Sequence, residues 1–175
     1  MERIKFVALT LILTLLLISC APSGAVLDYQ VLPFTARFAL STNGIQLSGI
    51  LTAGSFTDTP RDVSISFESP DSLSGITVTR KGGKVHTSLD NISVSSDGVR
   101  WLAIAELFSL SGAVSSAKAT TLGGIECTLV SLTSDKGEKY SVYIDKSGAP
   151  LRICGNLFEK PFVLDIISFK QDVNQ

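Results

Sequence analysis

The chain has 175 residues, with 15 basic against 16 acidic side chains for a net charge of −1, and 45% of its residues are hydrophobic. That balance gives no electrostatic footprint for nucleic acid or for an anionic membrane surface. The length suits one domain with a real core and is short for two.

The N-terminus opens Met-Glu-Arg-Ile-Lys and then runs from Phe6 to Ile18 without a charge. These 13 residues fall short of the roughly 20 that span a bilayer, so they read as the apolar stretch of a secretory signal. The run closes Leu17-Ile18-Ser19-Cys20, which resembles the lipobox of bacterial lipoproteins. That resemblance implies a diacylglyceryl group, such as one carrying palmitate, on the Cys20 thiol, cleavage before Cys20, and a lipid-anchored protein outside the cytoplasm on the bacterial cell membrane or outer membrane. Residues 1–19 are then a signal peptide, residues 20–30 a lipidated N-terminus and tether, and residues 31–175 one domain. Removing 19 of 175 residues leaves 156, and losing Glu2, Arg3 and Lys5 leaves 13 basic and 15 acidic residues. The mean hydropathy of +0.34 is raised by the signal and does not mark an integral membrane protein.

Past the tether, period-2 alternation dominates. Phe34, Ala36, Phe38 and Leu40 alternate with polar or small residues, Asn43-Gly44 supplies a type I′ turn, and Ile45, Leu47, Gly49 and Leu51 alternate on the return. This hairpin sets Leu40 opposite Leu47. Strands are expected over Asp62–Glu68, Gly75–Lys81 and Lys84–Asp90, the last two joined by Gly82-Gly83. Val99–Leu110 reads as a helix, apolar on most of its circumference, with Gly112 as its stop and Ser96 or Asp97 as its cap. Four more strands follow near 124–134, 139–146, 151–157 and 162–170, with turns at Lys136-Gly137 and Ser147-Gly148. Eight or so antiparallel strands and one or two short helices make the class mainly β.

This order, with "FESPDSLSG" after the third strand and "KYSVYIDKSGAPLRI" as a late hairpin, resembles the LolA/LolB-like lipoprotein-carrier superfamily. The resemblance implies a curved antiparallel sheet, a half-open barrel whose concave face is covered by short helices and takes up acyl chains. Phe38, Leu47, Leu51, Ile65, Phe67, Trp101, Phe108, Val142 and Ile144 are then candidates to line an apolar ligand pocket, or else they form an ordinary core.

Catalytic signatures are missing from the sequence. His86 is the single histidine and is expected to face solvent from a strand, no Gly-x-Ser-x-Gly elbow is present, and Glu106 is expected to be exposed or paired. With two-residue turns, Cys127 falls opposite Lys146 and shares a face with Val142 and Ile144, while Cys154 falls opposite Ser141 on the other face. No disulfide is expected between them, and no metal site or cofactor. The expected function is a non-catalytic, monomeric envelope lipoprotein, anchored to the membrane through Cys20, that binds a lipid or lipoprotein ligand. The alternative is a structural or protein-interaction lipoprotein with a filled core.

Overall fold

The computed structural model describes residues 25–56, 60–90, 92–96 and 101–172. Cys20, Asp97 and the first two residues of the expected helix lie outside them. Among the described residues twelve strands run in chain order: β1 (Ala25–Val26), β2 (Phe34–Thr42), β3 (Ile45–Ala53), β4 (Val63–Ser69), β5 (Ile76–Lys81), β6 (Lys84–Leu89), β7 (Ile92–Ser96), β8 (Ser111–Leu122), β9 (Ile125–Thr133), β10 (Lys139–Asp145), β11 (Pro150–Leu157) and β12 (Lys160–Gln171). One short helix, α1 (Leu102–Leu107), separates β7 from β8, and a 3-10 turn covers Asp28–Gln30.

All neighbouring strands pair antiparallel in one curved, unclosed sheet, in the order β1-β8-β9-β10-β11-β12-β2-β3-β4-β5-β6-β7. This is the expected half-open barrel. Its central seam joins β12 to β2, the last strand to an early one. The Asn43-Gly44 hairpin pairs Leu40 with Leu47 as its alternation dictates, both turn residues adopting positive φ.

Three findings depart from the sequence reading. The stretch assigned to the tether joins the body from Ala25 onward: β1 pairs with Ser111 and Gly112, and Leu27, Tyr29 and Gln30 are buried. Two strands were not expected, β7 and β8. Finally, Lys139 pairs with Thr133 and the Ser134 amide donates to the Glu138 carbonyl, so the β9–β10 loop holds three residues, Asp135 to Gly137, where two were expected, with Gly137 at φ +80 and its amide donating to the Ser134 carbonyl. A left-handed residue closes such a turn, and the longer loop slips the register by one. Cys127 therefore pairs with Asp145, and its side chain leaves the face it was expected to share with Val142 and Ile144. Cys154 does pair with Ser141, because a bulge at Tyr143/Ile144 offsets the longer turn at Ser147-Gly148. Both thiols are free and stand two strands apart.

The core lies on the concave side, where the two residues that flank α1 pack on the sheet, Phe108 against Phe34 and Phe38 of β2 and Trp101 against Phe67 of β4. Close packing there leaves no tolerance for extra atoms at Gly49. A Cβ added at that position would lie 2.4 Å from the Ser66 carbonyl oxygen, which is backbone and cannot yield cheaply. Gly49→Ala is expected to destabilise the fold by about 1–3 kcal/mol in urea unfolding, and an unchanged midpoint would refute the packing.

Candidate functional site

Strand pairing places the concave face in three rows across β2 to β7. Phe34, Ala53, Val63, Arg80 and Val85 form the first; Ala36, Leu51, Ile65, Val78, Thr87 and Val94 the second; Phe38, Gly49, Phe67, Ile76, Leu89 and Ile92 the third. A fourth row, Val130, Val142, Ile153, Leu164, Leu40 and Leu47, crosses the other half of the sheet. Period-2 alternation on each strand puts every one of these side chains on the side that α1 covers.

All nine candidate ligand-lining residues meet in this one cluster. Phe38, Leu47, Leu51, Ile65, Phe67, Phe108 and Val142 are buried, while Trp101 and Ile144 are partly buried at its margin. The Phe108 ring sits 5.9 Å from Phe34 and 6.3 Å from Phe38. Trp101 stands edge-on to Phe67 at 5.2 Å. Rings thus fill the space between helix and sheet.

The coverage by α1 is not complete. Moving from β4 to the free edge at β7, apolar side chains continue on the same face but emerge into water: Leu89 is 44% exposed, Val94 59% and Ile92 70%. Ile76, which pairs with Leu89, packs against the core, as do Leu73 and Trp101. The result is an apolar margin, open to solvent, that runs without interruption into the interior. Alternation of Ile92 and Val94 with serines in "NISVSS" is the signal that could have found this strand, which the sequence reading did not assign.

A polar anchor closes the opposite end of the helix. Arg61, only 6% exposed, donates from Nε to the Gly54 carbonyl at 2.7 Å and from Nη2 to the Gln30 and Leu32 carbonyls at 3.0 and 3.3 Å. Its Nη1 reaches Ser109 Oγ at 3.4 Å, and its guanidinium lies 4.9 Å over the Phe34 ring. Gln30 Nε2 donates to the Leu110 carbonyl at 3.0 Å and to the Tyr29 hydroxyl oxygen at 3.3 Å. Arg80 ties α1 to β5 through Glu106 at 2.9 Å, so Glu106 is paired. None of Tyr29, Gln30 and Arg61 was singled out from sequence, since their roles depend on distant carbonyls.

Burial pushes the Tyr29 phenol up to about 12 from an ordinary 10.0, against the opposing pull of Gln30 and the Arg61 charge. A pKa raised in the folded state means that the unfolded chain loses this proton first. Stability from Tyr29 is therefore intact below pH 10 and falls as pH rises from 10 toward 12, by up to about 2 kcal/mol. Urea midpoints taken at pH 9 and pH 11.5 should fall less in Tyr29→Phe than in the parent.

The convex face is polar. A groove of about 800 Å³ there is lined by Thr52, Ser64, Thr79 and His86, which pair rung by rung across β3 to β6. His86 is half-buried in it. Among the described residues no three His, Cys, Asp or Glu side chains are grouped to hold a metal ion.

No family model matches the sequence, and no curated protein matches it. Solved structures do resemble it. A structure of an uncharacterized conserved protein from Thermus thermophilus is 17% identical, with a TM-score of 0.53, over 85% of this chain and 83% of its own. The lipoprotein LppX of Mycobacterium tuberculosis is 14% identical over 80% and 88% of the two chains, with a TM-score of 0.45. LprF from Mycobacterium bovis is 9% identical over 83% and 89%, with a TM-score of 0.46. At 17% identity the likeness to the Thermus protein is one of fold.

Proposed function

We propose that this protein is a cell-envelope lipoprotein, held to the membrane by acyl chains on Cys20, whose half-barrel binds an apolar ligand without chemistry on it. One observation carries the ligand reading: the apolar face does not end where α1 ends but continues through Ile76 to exposed Leu89, Ile92 and Val94. Single exposed apolar residues are ordinary, whereas a contiguous exposed strip joined to the core marks a binding surface. An acyl chain laid along it gains roughly 25 cal/mol per Å² of apolar area removed from water. Displacing α1, which is only six residues long, would admit the chain to Trp101, Phe67, Phe38 and Phe108.

Uptake of a dansyl-labelled fatty acid by the mature protein is the test. Binding with enhanced emission is expected, weakened by Val94→Lys and by Ile92→Lys. No uptake, together with no lipid released on solvent extraction of the purified protein, would overturn the reading.

A second reading is favoured by the same edge. Strand β7, Ile-Ser-Val-Ser-Ser, carries neither charge nor proline, the devices that usually block strand pairing. A partner protein contributing a strand there would use the sheet as a scaffold and leave the filled core undisturbed. Retention of the fatty acid by the Val94→Lys variant, with loss of a partner cross-linked through β7, would favour this alternative.

A further inference from the structure

The convex side of the sheet changes character along its length. Across β8 to β12 one convex row reads Lys118, Leu129, Tyr143, Arg152 and Asp165, long side chains with an ion pair of 2.6 Å between the last two. Across β3 to β7 the rows are built instead of short hydroxyl side chains. Thr52, Ser64, Thr79, His86 and Ser95 follow one another rung by rung, and beside them run Ser66, Thr77, Ser88 and Ser93. The charges on this half stand toward the strand ends, at Glu68, Lys81 and Lys84.

The first of these rows is the floor of the groove of about 800 Å³, and from Thr52 to His86 it crosses three strand spacings, about 14 Å. That volume falls within the range of about 300–1,000 Å³ common to small-molecule sites, whereas the lining is polar where such sites are mostly apolar. An occupant must therefore match hydroxyls. Charge narrows the choice: Asp62, Arg80, Lys81 and Asp172 line the groove as two of each sign, Arg80 is committed to Glu106, and Asp62 accepts the Gly82 amide at 2.9 Å. A phosphate or carboxylate ligand needs a surplus of Arg or Lys, which this balance does not offer. A protein partner needs aromatic anchors, and no Phe, Tyr or Trp is among the described lining residues.

We propose that this groove binds a neutral glycan, whose sugar hydroxyls exchange hydrogen bonds with the hydroxyls of Thr52, Ser64 and Thr79 and with the His86 imidazole. A Ser or Thr hydroxyl both donates and accepts, as a sugar hydroxyl does, so the two surfaces pair in either sense. Ordering such short side chains costs less rotamer freedom than ordering Lys or Arg. The carboxylates of Asp62 and Asp172 add acceptors within the groove. Alternation sets this site on the opposite side of the same strands from Leu51, Ile65 and Val78, so it stands apart from the acyl-chain reading and from the anchor at Cys20.

His86 is the single histidine, so its imidazole gives one unobscured NMR signal from the groove floor. The test follows that signal in the histidine-labelled mature protein, at constant pH and in a detergent without a sugar headgroup. Chitotetraose, cellotetraose and mannotetraose are titrated in turn, with inorganic phosphate as the charged comparison. The expected result is a saturable shift with at least one tetrasaccharide and none with phosphate. Ser64→Val combined with Thr79→Val removes two hydroxyls at strand positions that suit valine, and should weaken binding about tenfold. Thr79→Ser, which keeps the hydroxyl, should bind as the parent does. Thr79→Lys, which fills the groove from a polar position, should abolish the shift and takes the place of the double variant if that one does not fold. A signal unmoved by all three sugars, or moved only by phosphate, would overturn the glycan assignment. Binding as tight as the parent's in the double-valine or the lysine variant would overturn the hydroxyl row as its site.

Discussion

Arg61→Ala is expected to lower stability by about 4 kcal/mol, read as a shift in the urea midpoint, and to leave the protein close to unfolded. The size follows from what the side chain joins. Its guanidinium spans the β3–β4 connection at Gly54, the N-terminal segment at Gln30 and Leu32, and the end of α1 at Ser109, all from a buried position. Truncation strands several buried carbonyls, each costing about 1–3 kcal/mol when unpaired, and removes the stacking on Phe34. Against a total stability of about 5–15 kcal/mol for a domain of this size, that loss is severe. Arg61→Lys should recover only part of it, because an ammonium cannot reproduce the planar fork. A loss below about 1 kcal/mol would mean that water replaces these donors at no penalty.

Phe108→Ala is the second large effect, about 3–5 kcal/mol. Phe108 is fully buried between Phe34 and Phe38 and is the principal aromatic bridge from the helix to the sheet. Deleting the ring leaves an apolar void where the acyl chain of the proposed ligand would lie. Such voids stay dry and accept small apolar molecules. Benzene is therefore expected to restore part of the lost stability, and a Phe108→Ala variant indifferent to benzene would mean that α1 collapses into the space.

Where tertiary context was weak, the sequence was readable. The Asn43-Gly44 hairpin, its register and the concave alternation of β2, β3 and β4 all follow from local chemistry, and five of the nine candidate lining residues, Phe38, Leu47, Leu51, Ile65 and Phe67, lie on those strands. Strand β8 did not, because "SGAVSSAKATTL" is exposed on both faces along most of its length and so has no buried face to impose a period of two. Tyr29 and Gln30 read as tether because their partners, Arg61, Phe169 and Leu110, are remote in the chain. The side on which Cys127 stands turned on one residue in the loop around Gly137, and no pattern within β9 or β10 specifies a loop length. Trp101 and Ile144 were legible as apolar residues, but their position at a margin open to water depends on how short α1 is.

The seam between β2 and β12 bears on how the molecule is made. Every hairpin from β2 to β7 can form from neighbouring sequence, yet the strand that completes β2 begins at Lys160. A nascent or translocating chain therefore waits, with β2 unpaired along that side, until nearly all its residues have emerged. Long-range closure of this kind makes folding slow, in the range of milliseconds to seconds, and exposes a sticky intermediate meanwhile. A chain whose central seam forms last also stays extended longest, which is what passage through a membrane channel would require of the lipoprotein proposed above.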